Sequence, residues 1–203
     1  MAIKIVGVTS TGIPAETAQQ LGVTIVRLRV NFGTETLRDS VDISPEAFLD
    51  RLATSKQFPT TSQPPAGDFL TVFQTMRAAG HEILCVLLSN KLSGTVMSAN
   101  AAKEQLHDEH VHVFDTLNVA VGEGIMVTEA ARMAQLARDR LAAATEAERA
   151  GQVPVALDLA GRAARIWPGL PEVLPAFGRL FNRYQRLRGG VIDLPDPRPA
   201  AGA

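Results

Sequence analysis

The chain has 203 residues, 46% of them apolar and 20% charged, enough to bury a core and too apolar for a wholly disordered polymer. Its 20 basic and 21 acidic residues leave a net charge of −1, which argues against a protein that coats nucleic-acid phosphates. A single Cys excludes an internal disulfide and any multi-cysteine zinc site, and the longest apolar run, residues 83–88, is far below the ~18 residues of a membrane span.

Taken in chain order, residues 3–8 (IKIVGV) are β-branched and apolar and predict a buried strand rather than a signal peptide. Pro14 stands at a helix start, with the helix running to Leu21 and Gly22 as its stop. Residues 23–30 predict a second strand, and residues 32–38, around Gly33, a short ribbon or loop. Ser44 and Pro45 form an N-cap and first position for a helix to about Ala53. Residues 56–66, with three Pro beside Thr60, Thr61 and Ser62, read as a loop. A helix over 68–79, a buried strand over 82–88, a polar turn over 89–94, a helix over 95–106 and a short strand over 111–114 follow, with helix again from about Val119. Strands alternating with helical crossovers predict an α/β fold, a parallel sheet with helices on both faces. The expected setting is cytoplasmic.

Two polar loops stand where such a fold places its chemistry. Ser89-Asn90-Lys91-Leu92-Ser93-Gly94-Thr95 follows a buried strand and opens a helix, where free backbone N–H groups and the helix dipole favour an anion. Ser93 and Thr95 add hydroxyls, and Gly94 admits a ligand close to the backbone. The Thr60-Thr61-Ser62-Gln63-Pro64 string offers three more hydroxyls before another helix. Ordinary capping and turn chemistry favours the same residues at helix starts.

Several of these strings together resemble the DegV family of fatty-acid-binding proteins. Pro59-Thr60-Thr61-Ser62-Gln63-Pro64 with Gly67-Asp68-Phe69 is similar to its TTSQP segment, and Lys91-Leu92-Ser93-Gly94-Thr95 with Ser98-Ala99 to its second signature. Arg38-Asp39 with Val41-Asp42-Ile43-Ser44-Pro45 resembles an RDG-VDIS segment. Phe114-Asp115-Thr116-Leu117 and Val121-Gly122-Glu123-Gly124 resemble a later strand and glycine turn. Thr9-Ser10-Thr11-Gly12 stands where the family carries an Asp-Ser-Thr string. The resemblance covers about residues 1–135 and implies a fatty-acid carboxylate held by Thr61 and Ser93, with Ser62, Gly94 and Thr95 in support. It further implies a carrier rather than an enzyme, a long-chain fatty acid as ligand, presentation of that ligand to a separate fatty acid kinase, and no cofactor or metal.

Composition changes after residue 131. Residues 1–131 hold 9 basic and 14 acidic side chains; from Arg132 onward there are 11 Arg, no Lys and 7 acidic residues, and Ala becomes dense. Residues 136–189 are not similar to the family's second domain, which covers much of the acyl chain. Gly151, Ala156, Ala163 and Pro168 are instead spaced as in the later half of a tetratricopeptide repeat, with Ala137 and Ala144 in the preceding helix. Leu174, Phe177, Gly178 and Phe181 begin a further cycle, and Trp167 reads as a packing anchor. An ordinary Ala-rich hairpin is the alternative. Residues 125–150 lack Pro and Gly and predict one unbroken helix joining the two regions. Residues 190–203, with three Pro and no period, are expected to be disordered.

Other residues carry weaker signals. His107, Asp108, Glu109, His110 and His112 read as solvated side chains rather than a metal cluster, and Cys85 as a core thiol. Gly122-x-Gly124 lacks a third glycine for dinucleotide binding, and Arg179, Arg183 and Arg186 share a solvated helical face. Three functions stay open: a lipid carrier, a protein-interaction module built on the same domain, and an enzyme acting at the same anion site, the last disfavoured because no acid–base pair is visible nearby. A homodimer is expected if a second copy is needed to bury the acyl chain.

Overall fold

The computed structural model describes residues 2–166 together with Ala176, Arg179, Leu180 and Arg183. The strings Leu174/Phe177/Gly178/Phe181, Trp167, Arg186 and the tail 190–203 lie outside the described residues. The chain divides into two compact units, Ile3–Ala131 and a second made of Met1–Ala2 and everything from Arg132 on.

In the first unit, β1 (Ile3–Val8), β2 (Val23–Val26), β6 (Glu82–Leu87) and β7 (Val111–Asp115) form a parallel sheet in the order β2-β1-β6-β7. The apolar runs of β1 and β6 occupy its centre because both of their faces are covered. On one face, Val6 and Val8 join Ile83, Cys85, Leu87, Phe69, Phe73, Val96, Ala99 and Ala102 in one core. The last five of these come from α3 (Ala66–Ala78) and α4 (Thr95–Leu106), whose small residues let the helix lie close to the strands. On the other face, Gly7 lies beside Ile25 and beside Val127 of α5 (Val121–Arg149). Helices α1 (Ala15–Leu21) and α2 (Pro45–Thr54) start where Pro14 and the Ser44–Pro45 pair predict, and Ser44 Oγ accepts the Ala47 amide at 3.1 Å.

Two parts of the fold differ from the sequence-based expectation. The single strand expected over 23–30 stops at Val26, the Leu28 amide donates to Thr9 Oγ1 at 3.2 Å instead of to a strand, and the chain resumes in a second sheet at Arg29. The string expected as a loop contains β5 (Thr60–Ser62), which pairs antiparallel with β3 (Arg29–Phe32); β3 also pairs with β4 (Glu35–Arg38) across the Gly33–Thr34 turn. This second sheet has the order β4-β3-β5 and its own small core of Val30, Phe32 and Ile43, with Leu37 and Phe48 against it. Three residues between prolines carry no alternating pattern, so nothing in the string itself marks a strand. Arg29 Nη2 donates to Asp68 Oδ2 at 2.5 Å, tying β3 to the first turn of α3.

The RDG-VDIS-like segment is a hydrogen-bonded turn. Asp42 accepts the Arg38 amide at 2.8 Å and the guanidinium at 2.8 and 2.9 Å, and these bonds hold the exposed Asp42 carboxyl down to about 2. Ser40 stands where the resembled segment has Gly and is held at φ 58°, a left-handed conformation that Gly adopts at less cost.

Helix α5 runs unbroken through residues 125–149, as the absence of Pro and Gly predicts. Gly151, at φ 75°, ends it, and α6 (Val153–Ile166) follows. In the second unit Ala137, Ala144, Ala156 and Ala163 are all buried, and Ala144, Ala147, Ala156, Ala160 and Leu180 form a cluster. Arg183 reaches Glu148 at 3.5 Å. Among the described residues no helix is long and apolar enough to cross a membrane.

Candidate functional site

The order β2-β1-β6-β7 reverses direction between β1 and β6. Adjacent parallel strands that lead away to opposite sides leave a crevice beyond their carboxyl ends, and ligands of such sheets bind there. The segments leaving β1 and β6 at that edge are the 3₁₀ turn Thr9–Thr11 and the Ser89–Gly94 turn. A cleft of about 440 Å³ opens between them, and its lining includes Ser10, Thr61, Ser62, Gln63, Ser93 and Gly94. Leu28, Val30, Leu88, Leu92 and Val119 supply its apolar wall.

Four of the five residues expected to bind a carboxylate therefore line one cleft, Thr61 from a strand of the second sheet and Ser93 from the turn that follows β6. The two loops touch: a Cβ built on Gly94 would fall 2.7 Å from Gln63 Nε2. The fifth, Thr95, is fully buried behind Ser93. Its amide donates to Ser93 Oγ at 3.3 Å and its hydroxyl bonds the same oxygen at 2.9 Å. Either hydroxyl can donate in that pair; with Thr95 as the donor, the Ser93 proton is left for the cleft. Gly94 caps α4 with no side-chain bond of its own; the Thr95 amide is taken by Ser93 Oγ, and the amides that follow it in the first turn are the ones open to an anion.

Among the described residues no Lys, Arg or His lines the cleft, and the carboxylate on its wall is Asp39. A larger hollow of about 710 Å³ lies outside β2, between α1 and Asp39–Pro45; it contains Arg27 but none of the signature hydroxyls.

The sequence reading missed one further group. Glu123, in the first turn of α5, is fully buried. Ser10 Oγ donates to its Oε2 at 2.7 Å, while Oε1 has no hydrogen-bond partner. Burial pushes the carboxyl up to about 7; the Ser10 bond and the Leu88 amide pull the other way. Ser10 and Leu88 are themselves cleft residues, so the carboxyl lies directly beneath the floor. The only advance signal was its place between Gly122 and Gly124. The second glycine brings α5 against the 3₁₀ turn: a Cβ at Gly124 would fall 2.5 Å from the Thr11 carbonyl oxygen. Gly124→Ala is accordingly expected to destabilise by ~1–3 kcal/mol, measurable as a lowered denaturant midpoint with an unchanged slope.

Elsewhere the titratable groups are used structurally. Arg77 Nε donates to Asp108 Oδ2 at 2.6 Å and Glu82 lies 3.3 Å from His110 Nδ1. Among the described residues no group of three His, Cys, Asp or Glu could hold a metal ion. Cys85 is fully buried, and burial raises its thiol far above the ordinary range.

Comparison with known proteins identifies a family over a span that runs past residue 135, the expected end of the resemblance. The family described as "Uncharacterised protein, DegV family COG1307" matches residues 2–148. A DegV domain-containing protein of Clostridium perfringens is 34% identical over 143 residues, which is 68% of this chain and 50% of that protein. Among solved structures, a DegV family protein of Thermus thermophilus described by its fatty acid binding is similar at 34% identity and TM-score 0.60, over 66% of this chain and 47% of that one. A stearic acid-binding protein of Eubacterium ventriosum is similar at 29% identity and TM-score 0.60, over 66% and 47%. The chain thus spans about half the length of the relatives it matches.

Proposed function

Because the chain belongs to the DegV family, we propose that it is a lipid-binding protein that holds a long-chain fatty acid by its carboxylate at Thr61 and Ser93. The observation that carries this reading is the convergence of Thr61, Ser62, Ser93 and Gly94 on one cleft at the reversal point of the sheet. Neutral hydroxyls and helix-start amides can take a carboxylate without a cation, since each such bond to a charged acceptor contributes ~1.5–3 kcal/mol. The head group sits at the carboxyl edge of the sheet, where a separate fatty acid kinase can reach it; the chain supplies binding and not phosphoryl chemistry. Solvent extraction of the purified protein, followed by mass spectrometry, tests the reading. A stoichiometric fatty acid is the expected result, and protein free of lipid that also fails to take up added stearate would leave the interaction-module reading in its place.

The cleft can cover a head group but only the first part of an acyl chain. Burial is worth ~0.8 kcal/mol per CH₂, and the apolar side chains at hand are partly spent on solvent, with Leu92 66% and Val119 43% exposed. Stearate is therefore expected to bind weakly to a monomer, or tightly with a second copy covering its tail. Sedimentation of the protein with and without stearate checks this; a tight complex that stays monomeric would contradict it.

A further inference from the structure

We propose that Ser10 is a third contact for the ligand's acidic head group and that Glu123, behind it, takes up a proton when that head group binds. The inference rests on the lipid-binding reading above and assigns to the same site a residue pair and a linkage to pH.

The geometry poses a shortage of protons. Ser10 lines the cleft, and its hydroxyl proton is committed to Glu123 Oε2 at 2.7 Å. A hydroxyl has one proton to give. A ligand carboxylate entering beside Ser10 finds an oxygen whose donor already points the other way, with a second carboxylate behind it. Two carboxylates sharing a site do not both stay ionised without a compensating cation, and none lines this cleft among the described residues. One proton from solvent resolves both conflicts. Placed on Glu123 Oε2, it is donated to Ser10 Oγ, and the Ser10 proton turns outward to the ligand. The count balances at one proton taken up per anion bound, with no bond other than hydrogen bonds exchanged.

The surroundings favour this change. Glu123 is fully buried and its Oε1 has no hydrogen-bond partner; Ser10 and the Leu88 amide pull toward the charged form, and burial outweighs both. The titratable group whose field couples to it is Cys85 on β6, whose thiol stays neutral. The 3₁₀ turn packed against it contributes only Thr9, Ser10 and Thr11, and the titratable side chain on the cleft wall among the described residues is Asp39. The carboxyl already sits near neutrality in the ligand-free protein, so the uptake falls within an ordinary range of pH.

Calorimetry with stearate delivered from cyclodextrin, in two buffers of different ionisation enthalpy, counts the protons directly. The wild-type chain is expected to take up a fraction of a proton approaching one near pH 8, and to bind about tenfold more tightly near pH 6 than near pH 8. Glu123→Gln keeps a neutral group that can donate to Ser10, so it should bind at the wild-type low-pH affinity throughout, with no proton uptake at this site. Ser10→Ala should bind severalfold more weakly near pH 6 and lose the same pH dependence. If Glu123→Gln does not fold, the wild-type proton count and the Ser10→Ala profile decide. Wild-type binding without uptake, or a Ser10→Ala profile parallel to wild type, overturns the inference and leaves the lipid reading intact. Absence of stearate binding by every form at every pH overturns the lipid reading and this inference with it.

Discussion

Thr61→Ala combined with Ser93→Ala is expected to weaken fatty-acid binding by about two to four orders of magnitude, while the fold survives. Each hydroxyl bonded to a carboxylate contributes ~1.5–3 kcal/mol, so the pair together contributes ~3–6 kcal/mol. The structural cost is smaller because neither side chain supports the core. Thr61 is exposed on the edge strand β5. Ser93 is half-buried, and its bonds to Thr95 are local to one turn, so their loss costs ~1 kcal/mol. Each single variant should fall between, and the two losses should not add fully if one carboxylate oxygen accepts from both. Titration with stearate, run beside thermal unfolding, separates the effects. A double variant that binds like wild type would place the head group elsewhere and make the larger hollow beyond β2, with Arg27 on its wall, the next place to look.

The contrast between these two residues shows what the sequence carried and what it did not. Ser93 was legible from local signals alone: a buried strand, a polar turn with Gly94, then a helix, in an order that only a parallel α/β sheet explains. The central strands and α4 were legible for the same reason, since continuous apolar runs and clear helix stops are properties of each segment by itself. Thr61 is different. Its position depends on β5 pairing with β3, a partner three decades of residues earlier, through a ladder of three residues. That pairing, and the Arg29–Asp68 ion pair that anchors it, are long-range facts with no local pattern. What placed Thr61 in the site ahead of the structure was the resemblance of its string to a family signature, not its periodicity.

Glu123 was illegible for a sharper reason. A carboxylate in the first turn of a helix is ordinarily an exposed partner of the helix dipole, and the sequence gives no sign that this one is roofed over. Its burial follows from two contacts made at a distance: Gly124 lying against the Thr11 carbonyl, and Ser10 closing over the carboxyl from the end of β1. The expectation of no acid–base group near the site came from the loops alone, and a residue more than a hundred positions from Ser10 was not visible to it.

Burial of that carboxyl has a consequence for stability that needs no ligand. The unfolded chain ionises Glu123 near the ordinary 4.5, the folded chain only near 7. Below about pH 4.5 both states carry the proton and the group costs nothing. As pH rises from there, the unfolded state gives up its proton first and gains free energy that the folded state cannot match, so stability falls until the folded carboxyl also ionises, and is level above about pH 7. The full loss is ~3 kcal/mol. The charge pairs work in the opposite sense and in a different window: Asp42 and Asp108 are held below the usual carboxylate range by Arg38 and Arg77, so their contribution is lost only as pH falls into the acid range. Among the described groups with a resolved shift, Glu123 is the one whose linkage falls between about pH 5 and pH 7. Glu123→Gln should flatten the slope there, staying within ~1 kcal/mol of wild type near pH 5 and exceeding it by ~3 kcal/mol near pH 8, as read by urea unfolding of both proteins across that range. Parallel curves would mean that Glu123 is ionised in the folded protein at neutral pH. The Ser10 proton would then already be matched to a stable anion, and the demand for a further proton on ligand binding would rest on the second carboxylate alone.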